Sequence, residues 1–305
     1  MTAARLIHTG NAVADLVLEV PALPPRGGDV LARSAGRAAG GGVNVMAAAA
    51  RQGLPVVYAG MLGTGPNGTL VRESLEADGV TLANPPLADL DTGLVIVLVD
   101  DGGERTFATI RGAEARLDAS ALRNADVTGD DWVYVTGYSL AHDANRAALL
   151  GWLPALPPHT RVVFDPGPLA HQLPATALAG VLSRMDWCSA NLAEARALTG
   201  LDDPIAATAH LAASARAGAI VRCGADGCLM ATNGEVARIP GMVVDAVDLN
   251  GAGDAHVGAF IAGLAHGLTP AQAARRANAA AALAVTQRGP ATSPTSAEVD
   301  AFLSA

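Results

Sequence analysis

A chain of 305 residues, half of them apolar, can build a sizeable hydrophobic core in one large α/β domain or two small ones. The formal net charge of −9 argues against nucleic acid as the main partner, because phosphate backbones are bound by basic patches. All twenty basic residues are arginine, which excludes a Walker A loop, a protein-kinase fold and a pyridoxal-phosphate Schiff base, since each needs a lysine.

The cysteines and the apolar segments indicate the cellular compartment. Residues 1–8 lead directly into an apolar strand without the long apolar segment of a signal peptide. No uncharged stretch is both long and apolar enough to span a bilayer. Cys188, Cys223 and Cys228 have no paired spacing and are expected to be free thiols in a reducing compartment. We therefore expect a cytoplasmic protein.

Short apolar segments alternate with amphipathic helical segments, which predicts a mainly parallel sheet covered by helices. The expected core strands are residues 6–9, 56–59, 132–136, 161–165, 187–190 and 219–223. The expected helices are residues 43–52, 68–78, 143–152, 206–217, 252–266 and 270–286.

Two strand pairs interrupt this alternation, because no helix separates their members. The first pair is expected at 15–20 and 30–34, and the second at 94–100 and 105–110, joined by a hairpin turn at 100–103. Such pairs can form a small separate sheet over a cleft. We therefore expect one domain over residues 1–305 with a β lid whose strands lie at about 15–35 and 93–111.

A run of small residues, Gly251, Ala252 and Gly253, precedes a segment whose apolar residues recur at helical spacing. The run therefore lies at a helix N-terminus, where backbone N–H groups lack partners and the helix dipole is positive. Glycines let an anion approach the backbone, so the run can stabilise charge on a transferred phosphoryl group. Asp254, in the first turn, can take a proton from an attacking hydroxyl. On these residues alone, an ordinary helix end with a dipole-favoured aspartate is equally compatible.

Residues 248–254 resemble a signature of the ribokinase-like (PfkB) carbohydrate kinase family, Asp-Thr-Thr-Gly-Ala-Gly-Asp. Five of the seven residues match, while Leu249 and Asn250 stand at the threonine positions. His256 stands where the family often has phenylalanine. Further segments resemble the family in the same order and extend the resemblance over nearly the whole chain: 10–15, 40–44, 102–107, 191–194, 223–227 and 278–289.

The resemblance implies a three-layer α/β/α domain with a mainly parallel central sheet and a small β lid. It also implies transfer of the ATP γ-phosphate to a hydroxyl of a small sugar or sugar-like molecule. ATP and Mg²⁺ are the expected cofactors, with K⁺ as a further candidate. Neither nucleic acid nor a membrane is an expected partner, and the lid is a candidate homodimer interface.

The resemblance also assigns roles to particular residues. Asp254 is the expected catalytic base, with Gly251, Ala252 and Gly253 as the anion hole. The residues expected to bind the acceptor are Asp15, Gly40, Gly41, Asn44, Arg105 and Tyr138. Those expected on the nucleotide side are Asn191, Glu194, Arg222, Gly224, Gly227 and Asn278, with Glu194 holding Mg²⁺ through water. Those expected around a monovalent cation are Asp248, Asn250, Ala284, Gly289 and Ser293.

Several of these residues have a purely structural alternative. Asn44 is a preferred N-cap residue type, and the pair Asn191–Glu194 has the spacing of a capping box. Gly224 and Gly227 fit an ordinary hairpin turn. Arg222 stands where the family often has a small hydroxyl residue, and it could contact either a phosphate or a surface carboxylate.

Two departures from the family bear on the substrate. Ribokinases carry a lysine in the glycine-rich turn where this chain has Gly41, and an asparagine where it has Val13. We therefore expect an acceptor other than ribose alone. A nucleoside kinase of the same fold is the alternative, and a catalytically silent sugar or nucleotide sensor is another. A dinucleotide oxidoreductase is not expected, because no Gly-x-Gly-x-x-Gly follows the first strand.

Overall fold

The computed structural model describes residues 3–289 and 291–305, whose strands form one sheet of nine and another of four. The strands are β1 (Leu6–His8), β2 (Ala12–Glu19), β3 (Ser34–Gly41), β4 (Val56–Tyr58), β5 (Thr81–Leu82), β6 (Leu94–Val99), β7 (Arg105–Ile110), β8 (Trp132–Thr136), β9 (Arg161–Asp165), β10 (Trp187–Asn191), β11 (Gly218–Arg222), β12 (Cys228–Thr232) and β13 (Glu235–Ile239). The α-helices are α1 (Gly42–Arg51), α2 (Pro66–Ala77), α3 (Ala119–Arg123), α4 (Gly137–Leu140), α5 (Asp143–Trp152), α6 (Ala175–Leu182), α7 (Leu192–Thr199), α8 (Pro204–Ala213), α9 (Ala252–Ala265), α10 (Pro270–Ala284) and α11 (Ser296–Ser304).

The larger sheet is the middle layer of the fold. Its strand order is β13-β12-β11-β10-β9-β8-β1-β4-β5, and every neighbouring pair from β11 to β5 is parallel. Leu6 of β1 belongs to a core with Val43 of α1 and Phe260 of α9, whereas Ile7 belongs to another core with Leu149 of α5. Because successive side chains of a strand point to opposite faces, helices cover both faces. The expected three-layer α/β/α architecture is confirmed.

The carboxyl ends of the parallel strands collect polar residues at one edge of the larger sheet. Asp165 ends β9, Asn191 ends β10 and Arg222 ends β11. Asn191 pairs in register with Arg222, and Asp165 pairs with Thr136 at the end of β8. Ligands of open α/β sheets bind outside this edge. A functional site is therefore expected here.

Helix α9 begins at the same edge, since Gly253 in its first turn lies beside the side chain of Arg222. Gly251 precedes the helix with a φ of 74°, a left-handed conformation that glycine adopts without steric cost. Further along, a Cβ on Gly258 would lie 2.5 Å from the Cβ of Ala48, so α9 packs directly against α1. This close packing fixes the direction of α9.

The smaller sheet has the strand order β3-β2-β6-β7. Its strands correspond to the two strand pairs expected for a lid. The first pair, however, differs from the prediction. The second strand is Ser34–Gly41 rather than 30–34, and it pairs with β2 along its whole length. The apolar residues Val30 and Leu31 favoured the earlier position, yet they precede the strand. Pairing with β2, rather than intrinsic propensity, makes the Gly- and Ala-rich segment extended.

The cysteines are free thiols, with Cys188 and Cys228 buried and Cys223 half-buried. No helix in the described part of the chain combines the length and apolar character needed to cross a bilayer.

Candidate active site

Asp254 lies half-buried in the first turn of α9, and the Asn44 amide donates a hydrogen bond of 3.0 Å to its Oδ2. Burial raises the pKa of Asp254 to about 6, although the bond from Asn44 opposes the rise. Asp165 and Asp15 add to the rise through their negative charges, and Arg222 opposes it. The carboxylate is therefore a stronger base than an exposed aspartate and is still ionised above pH 6.

Asn44 connects α1 to the site and is not the helix cap that its residue type allowed. It is buried in the first turn of α1, and the N-cap is Gly41, without a side-chain bond. The Nδ2 of Asn44 donates to Asp254, and its Oδ1 accepts the N–H of Ala291 over 3.0 Å. Because both ends of the amide are held, Asn44 orients the carboxylate of Asp254. Its contact with an acceptor stays a prediction.

The run Gly251-Ala252-Gly253 forms the turn into α9. Among the described residues, the N–H groups of Gly253 and Asp254 donate no hydrogen bond, whereas the N–H of Ala255 bonds to the Gly251 carbonyl. No side chain caps the helix, because its N-cap is a glycine. Unpartnered N–H groups at the positive end of the dipole make this helix start suitable for an anion.

Asp15 stands on the face of the smaller sheet that also carries Arg105 and Phe107, because cross-strand neighbours in β2, β6 and β7 share a face. A Cβ on Gly40 would lie 2.1 Å from Oδ2 of Asp15, so only glycine leaves room for this carboxylate. Burial raises the pKa of Asp15 to about 6, and the charge of Arg105 opposes the rise. No donor in the described part of the chain hydrogen-bonds Asp15, which is therefore able to accept ligand hydroxyls.

Arg105 joins the smaller sheet to the segment that leads into α9. Its Nη2 donates to Oδ1 of Asp248 over 2.6 Å. Asp248 also accepts the N–H groups of Asn250 at 2.9 Å and Gly289 at 3.1 Å. Burial raises the pKa of Asp248, but these N–H groups and Arg105 outweigh it and hold the pKa below its usual range. Strand β7 is thereby attached to the loop before α9.

Two of the carbonyl oxygens expected around a monovalent cation already accept hydrogen bonds. The carbonyl of Ala284 accepts the hydroxyl of Thr292 over 3.1 Å. The carbonyl of Ser293 accepts a bond of 3.0 Å from Arg51. The side chain of Asp248 thus accepts N–H donors at both oxygens, and the monovalent cation stays a prediction.

Arg222 lies between two carboxylates at the end of β11. Its Nη1 donates to Oδ2 of Asp165 over 3.2 Å and to Oγ of Ser189 over 2.6 Å. Its Nη2 lies 3.4 Å from Oε2 of Glu194. The Arg222 side chain is 14% exposed, so its partners are carboxylates of the sheet edge and not of the surface. Asp165 and Ser189 were missed from the sequence, although the position of Asp165 at the end of a predicted parallel strand was a signal.

Asn191 and Glu194 form the capping box of α7, so the structural alternative for this pair is realised. Oδ1 of Asn191 accepts the Glu194 N–H, and Oε2 of Glu194 accepts the Asn191 N–H, each over 2.8 Å. Burial and the charge of Asp165 raise the pKa of Glu194, and Arg222 opposes them. Oε1 of Glu194 accepts no hydrogen bond in the described part of the chain, so a ligand could share this residue with the cap.

Gly227 and Asn278, both expected on the nucleotide side, meet at the end of β13. Gly224 and Gly227 lie in the turn between β11 and β12, with φ of 62° and 88°. A Cβ on Gly227 would lie 2.3 Å from the carbonyl oxygen of Ile239. Asn278 of α10 donates through Nδ2 to the carbonyls of Ile239 at 3.1 Å and Pro240 at 2.9 Å. These contacts bring the turn and α10 together.

His256 is buried on α9 and bonds to α10. Its Nε2 lies 3.1 Å from Oδ1 of Asn278. Because the Asn278 nitrogen donates to carbonyls, its oxygen is the acceptor and His256 carries its proton on Nε2. Burial lowers the pKa of His256 to about 3, so the ring is neutral. Its role is to join the two helices.

Two further acceptor candidates are Tyr138 in α4 and Gly41 at the end of β3. Tyr138 of α4 is 48% exposed, and a Cβ on Gly167 would lie 3.5 Å from its ring. Burial raises the pKa of Tyr138, and Glu194 adds to the rise. Gly41 has a φ of 60°, and a Cβ there would lie 2.7 Å from the carbonyl oxygen of Asn11.

Residues 3–297 match the family model described as pfkB family carbohydrate kinase. An uncharacterized sugar kinase of Escherichia coli strain K12, YegV, is 30% identical over 306 residues, which cover 98% of this chain and 94% of that protein. An ATP-dependent ribose-1-phosphate kinase of Halopiger xanaduensis is 30% identical over 318 residues, covering 98% of each chain. The solved structure of a ribokinase from Thermotoga maritima matches with a TM-score of 0.84 at 24% identity, over 100% of each chain. The chain therefore has the ribokinase-like fold and belongs to the PfkB family of carbohydrate kinases.

Proposed function

We propose that this chain transfers the γ-phosphoryl group of ATP to a hydroxyl of a small sugar or sugar-like acceptor. The observation that carries the proposal is the pairing of Asp254, a base held by Asn44, with the unpartnered N–H groups of Gly253 and Asp254. Phosphoryl transfer to an alcohol needs a proton acceptor beside donors for the phosphoryl oxygens. Membership of the family supports the same reaction.

In the proposed reaction, Asp254 accepts the proton of the acceptor hydroxyl while the hydroxyl oxygen bonds to the γ-phosphorus. The bond from the γ-phosphorus to the bridging oxygen breaks, and ADP leaves with its electron pair. The start of α9, residues 251–253, stabilises the negative charge of the phosphoryl oxygens. Asn44 keeps Asp254 oriented toward the nucleophile.

The acceptor is proposed to bind between the lid and α9. Asp15 accepts its hydroxyl donors, and Gly40 and Gly41 leave the space that this requires. Arg105 and Tyr138 are proposed to complete the acceptor site. The names of two relatives, a sugar kinase and a ribose-1-phosphate kinase, support a sugar or a sugar phosphate as the acceptor.

ATP is proposed to lie along the carboxyl edge of the larger sheet, with its adenine toward the end of β13. The name of the ATP-dependent relative supports ATP as the donor. The residues proposed to line the nucleotide are Asn191, Glu194, Arg222, Gly224, Gly227 and Asn278.

The donor set fits a Mg²⁺ ion held through water by Glu194. Among the described residues, Oε1 of Glu194 accepts no hydrogen bond, whereas Oε2 serves the helix cap and Arg222. No cluster of three carboxylate, histidine or cysteine ligands occurs in the described part of the chain. Mg²⁺ needs none, because it keeps several waters and takes oxygen ligands from phosphates. When bound, Mg²⁺ neutralises phosphate charge.

Three of the residues expected to hold K⁺, Asp248, Ala284 and Ser293, already accept hydrogen bonds. Arg105 and two N–H groups already bind both oxygens of Asp248. The carbonyls of Ala284 and Ser293 accept hydrogen bonds from other groups. K⁺ prefers carbonyl oxygens that can replace its hydration shell. We therefore propose that Arg105 neutralises Asp248 without a monovalent cation.

A nucleoside kinase is the second candidate, and one observation favours it. Phe107 shares the lid face of Asp15 and Arg105 and is 62% exposed. An exposed aromatic ring over an acceptor site can stack on a nucleobase. The same ring can pack on the apolar face of a sugar.

A homodimer through the lid is also proposed. The lid face opposite Asp15 carries half-buried aliphatic side chains that a second sheet could cover. These side chains are Leu16, Leu18, Ile96 and Leu98. Sedimentation equilibrium tests the dimer, and a monomer mass at all concentrations contradicts it.

ADP release from MgATP, measured with pentoses, hexoses, sugar phosphates and nucleosides as acceptors, tests the proposed function. We expect turnover with a sugar or a sugar phosphate. Turnover with nucleosides alone would support the second candidate instead. ATP binding without turnover on any acceptor would contradict phosphoryl transfer and support a sensor.

A further inference from the structure

Arg222 uses only part of its guanidinium group to bind the protein. Nη1 donates to Asp165 and Ser189, and Nη2 lies 3.4 Å from Glu194. A guanidinium has five N–H donors. The Nε–H and the second hydrogen of Nη2 therefore have no partner among the described residues, although the side chain is only 14% exposed.

This unpartnered edge of Arg222 lies beside the start of α9. A Cβ on Gly253 would lie 3.6 Å from Nε and 4.0 Å from Nη2. The N–H bonds of Nε and Nη2 on one edge of a guanidinium are parallel, a geometry that binds two oxygens of a phosphate. The N–H of Gly253 is also unpartnered in the described part of the chain. The helix start and the guanidinium can therefore donate to one anion.

The carboxylates of Asp165 and Glu194 hold the guanidinium in this position. Their side chains are 14% and 8% exposed, so both are largely shielded from water. A shielded carboxylate that loses its counter-charge is destabilising, which keeps Arg222 between them. Donors that are fixed before the reaction need no reorganisation when charge develops, and they stabilise a transition state most effectively.

We propose that Arg222 completes the anion hole, its Nε–Nη2 edge binding oxygens of the phosphoryl group in transfer beside the N–H of Gly253. This inference rests on the proposed phosphoryl transfer and adds a catalytic residue to it. A small hydroxyl residue at this position, as the family often has, offers one neutral donor. Arg222 gives this chain a fixed positive charge instead.

The test compares Mg²⁺-dependent binding of AMP-PNP, a non-hydrolysable ATP analogue, with that of ADP by isothermal titration calorimetry. In Arg222→Gln we expect AMP-PNP binding to weaken about 10- to 100-fold, the range for a charge-assisted contact. ADP binding should weaken much less, because ADP lacks the γ-phosphoryl group. Unchanged binding, or equal weakening of both ligands, would overturn the proposal. If Arg222→Gln does not fold, Arg222→Lys, which also lacks the paired edge, is compared in the same way.

Two further variants separate contact from charge. Arg184→Gln removes another buried arginine, which bridges Asp186 just before β10, and should leave the AMP-PNP to ADP affinity ratio unchanged. Asp165→Asn combined with Arg222→Gln removes the carboxylate that would otherwise lose its partner. We expect the selective loss of AMP-PNP affinity to persist in the double variant. Recovery of wild-type affinity would overturn the proposal, because Arg222 would then only screen Asp165.

Failure of the proposed function gives a different result. Wild-type protein that binds neither nucleotide, or Asp254→Asn protein with normal turnover, contradicts phosphoryl transfer at this site and the role of Arg222 with it. Wild-type protein that binds AMP-PNP and needs Asp254 for turnover, while Arg222→Gln binds like wild type, overturns the role of Arg222 alone.

Discussion

Burial and the amide of Asn44 shift the pKa of the Asp254 carboxylate in opposite directions. Burial raises the pKa to about 6, and the hydrogen bond from Asn44 lowers it. A base is most effective when its pKa approaches the working pH while it stays ionised. Asp15 titrates in the same range, whereas His256 does not, because its pKa is lowered to about 3. A substitution of Asn44 shifts the pKa of Asp254 and therefore shows what Asp254 contributes to the pH dependence of turnover.

Turnover should rise with pH through about pH 6, because Asp254 accepts a proton only as a carboxylate. Asn44→Ala removes a bond that lowers the pKa of Asp254, so the inflection of kcat should move to higher pH. Profiles of kcat from about pH 5 to pH 9 check this. Asn145→Ala, which removes another buried amide, should keep the wild-type inflection. An unchanged inflection in Asn44→Ala would contradict this explanation.

At the scale of elements, strand β3 leaves room for a carboxylate on its neighbour. The segment 34–41 is rich in Gly and Ala, and the absence of a side chain at Gly40 allows Asp15 to stand on β2. The same strand carries Gly36, where a Cβ would meet nothing within 4 Å. The two glycines therefore differ in what a methyl group would displace.

Gly40→Ala should raise the acceptor KM about tenfold or more, because the new methyl group displaces Asp15 from its position, and a hydrogen bond to a charged group is lost. The KM for ATP should change little. Steady-state kinetics with each substrate varied in turn check this. Gly36→Ala is the matched control and should behave like wild type. Equal effects of the two substitutions would contradict the position of Asp15 in the acceptor site.

The ion pair between Arg105 and Asp248 predicts that the rate does not depend on K⁺. Initial rates with K⁺, Na⁺ or a large organic cation at equal ionic strength should be the same, because Arg105 already neutralises Asp248. Arg105→Gln should weaken acceptor binding by separating the lid from the loop before α9. Arg33→Gln, which breaks an exposed lid pair with Asp101, should not. Marked activation by K⁺ in the wild type would contradict this explanation.

At the same scale, prediction from the sequence depended on local signals. The predicted strands 132–136 and 161–165 and the predicted helix 143–152 have the observed bounds. Strand β3 was misplaced because its residues have low strand propensity and only pairing with β2 makes them extended. Helix α8 spans Pro204–Ala213 rather than 206–217, and its earlier start follows from Asp203, which caps it, and from Pro204 at its first position.

For the whole molecule, the alternation of strands and helices predicted a mainly parallel sheet covered by helices, whereas predicting the site required contacts between distant parts of the chain. The position of Asp254 and its glycines at a helix start was predictable because these residues are contiguous. The contact of Asp165 with Arg222 was not predictable, because it spans 57 residues and depends on which strands are neighbours in the sheet. The ion pair of Arg105 with Asp248 spans 143 residues for the same reason.

Two carboxylates with raised pKa values also affect the stability of the whole molecule. Asp15 and Asp254 each have a pKa of about 6 in the folded state, above that of an unfolded chain. A raised pKa adds stability below the unfolded pKa, and this contribution is lost as pH rises through the folded pKa. At neutral pH the ligand-free protein therefore carries ionised, half-buried aspartates at a cost in stability.

Asp254→Asn should raise the free energy of unfolding by about 2 kcal/mol at neutral to alkaline pH, because the amide mimics the neutral carboxyl. The difference should disappear below the unfolded pKa. Urea denaturation of the ligand-free protein at several pH values checks this. Asp143→Asn, which changes an exposed aspartate in the first turn of α5, should show no such gain in the free energy of unfolding. Destabilisation by Asp254→Asn at all pH values would contradict the raised pKa.

The turnover number of Asp254→Asn, with an acceptor found in the panel, tests the central claim most directly. If Asp254 is the base, kcat should fall about 10²- to 10⁴-fold, the usual contribution of a positioned acid or base, while ATP binding stays close to wild type. Asp143→Asn, which changes an aspartate in the first turn of α5, should keep wild-type turnover. Near-normal turnover in Asp254→Asn would contradict the assignment of Asp254 as the base.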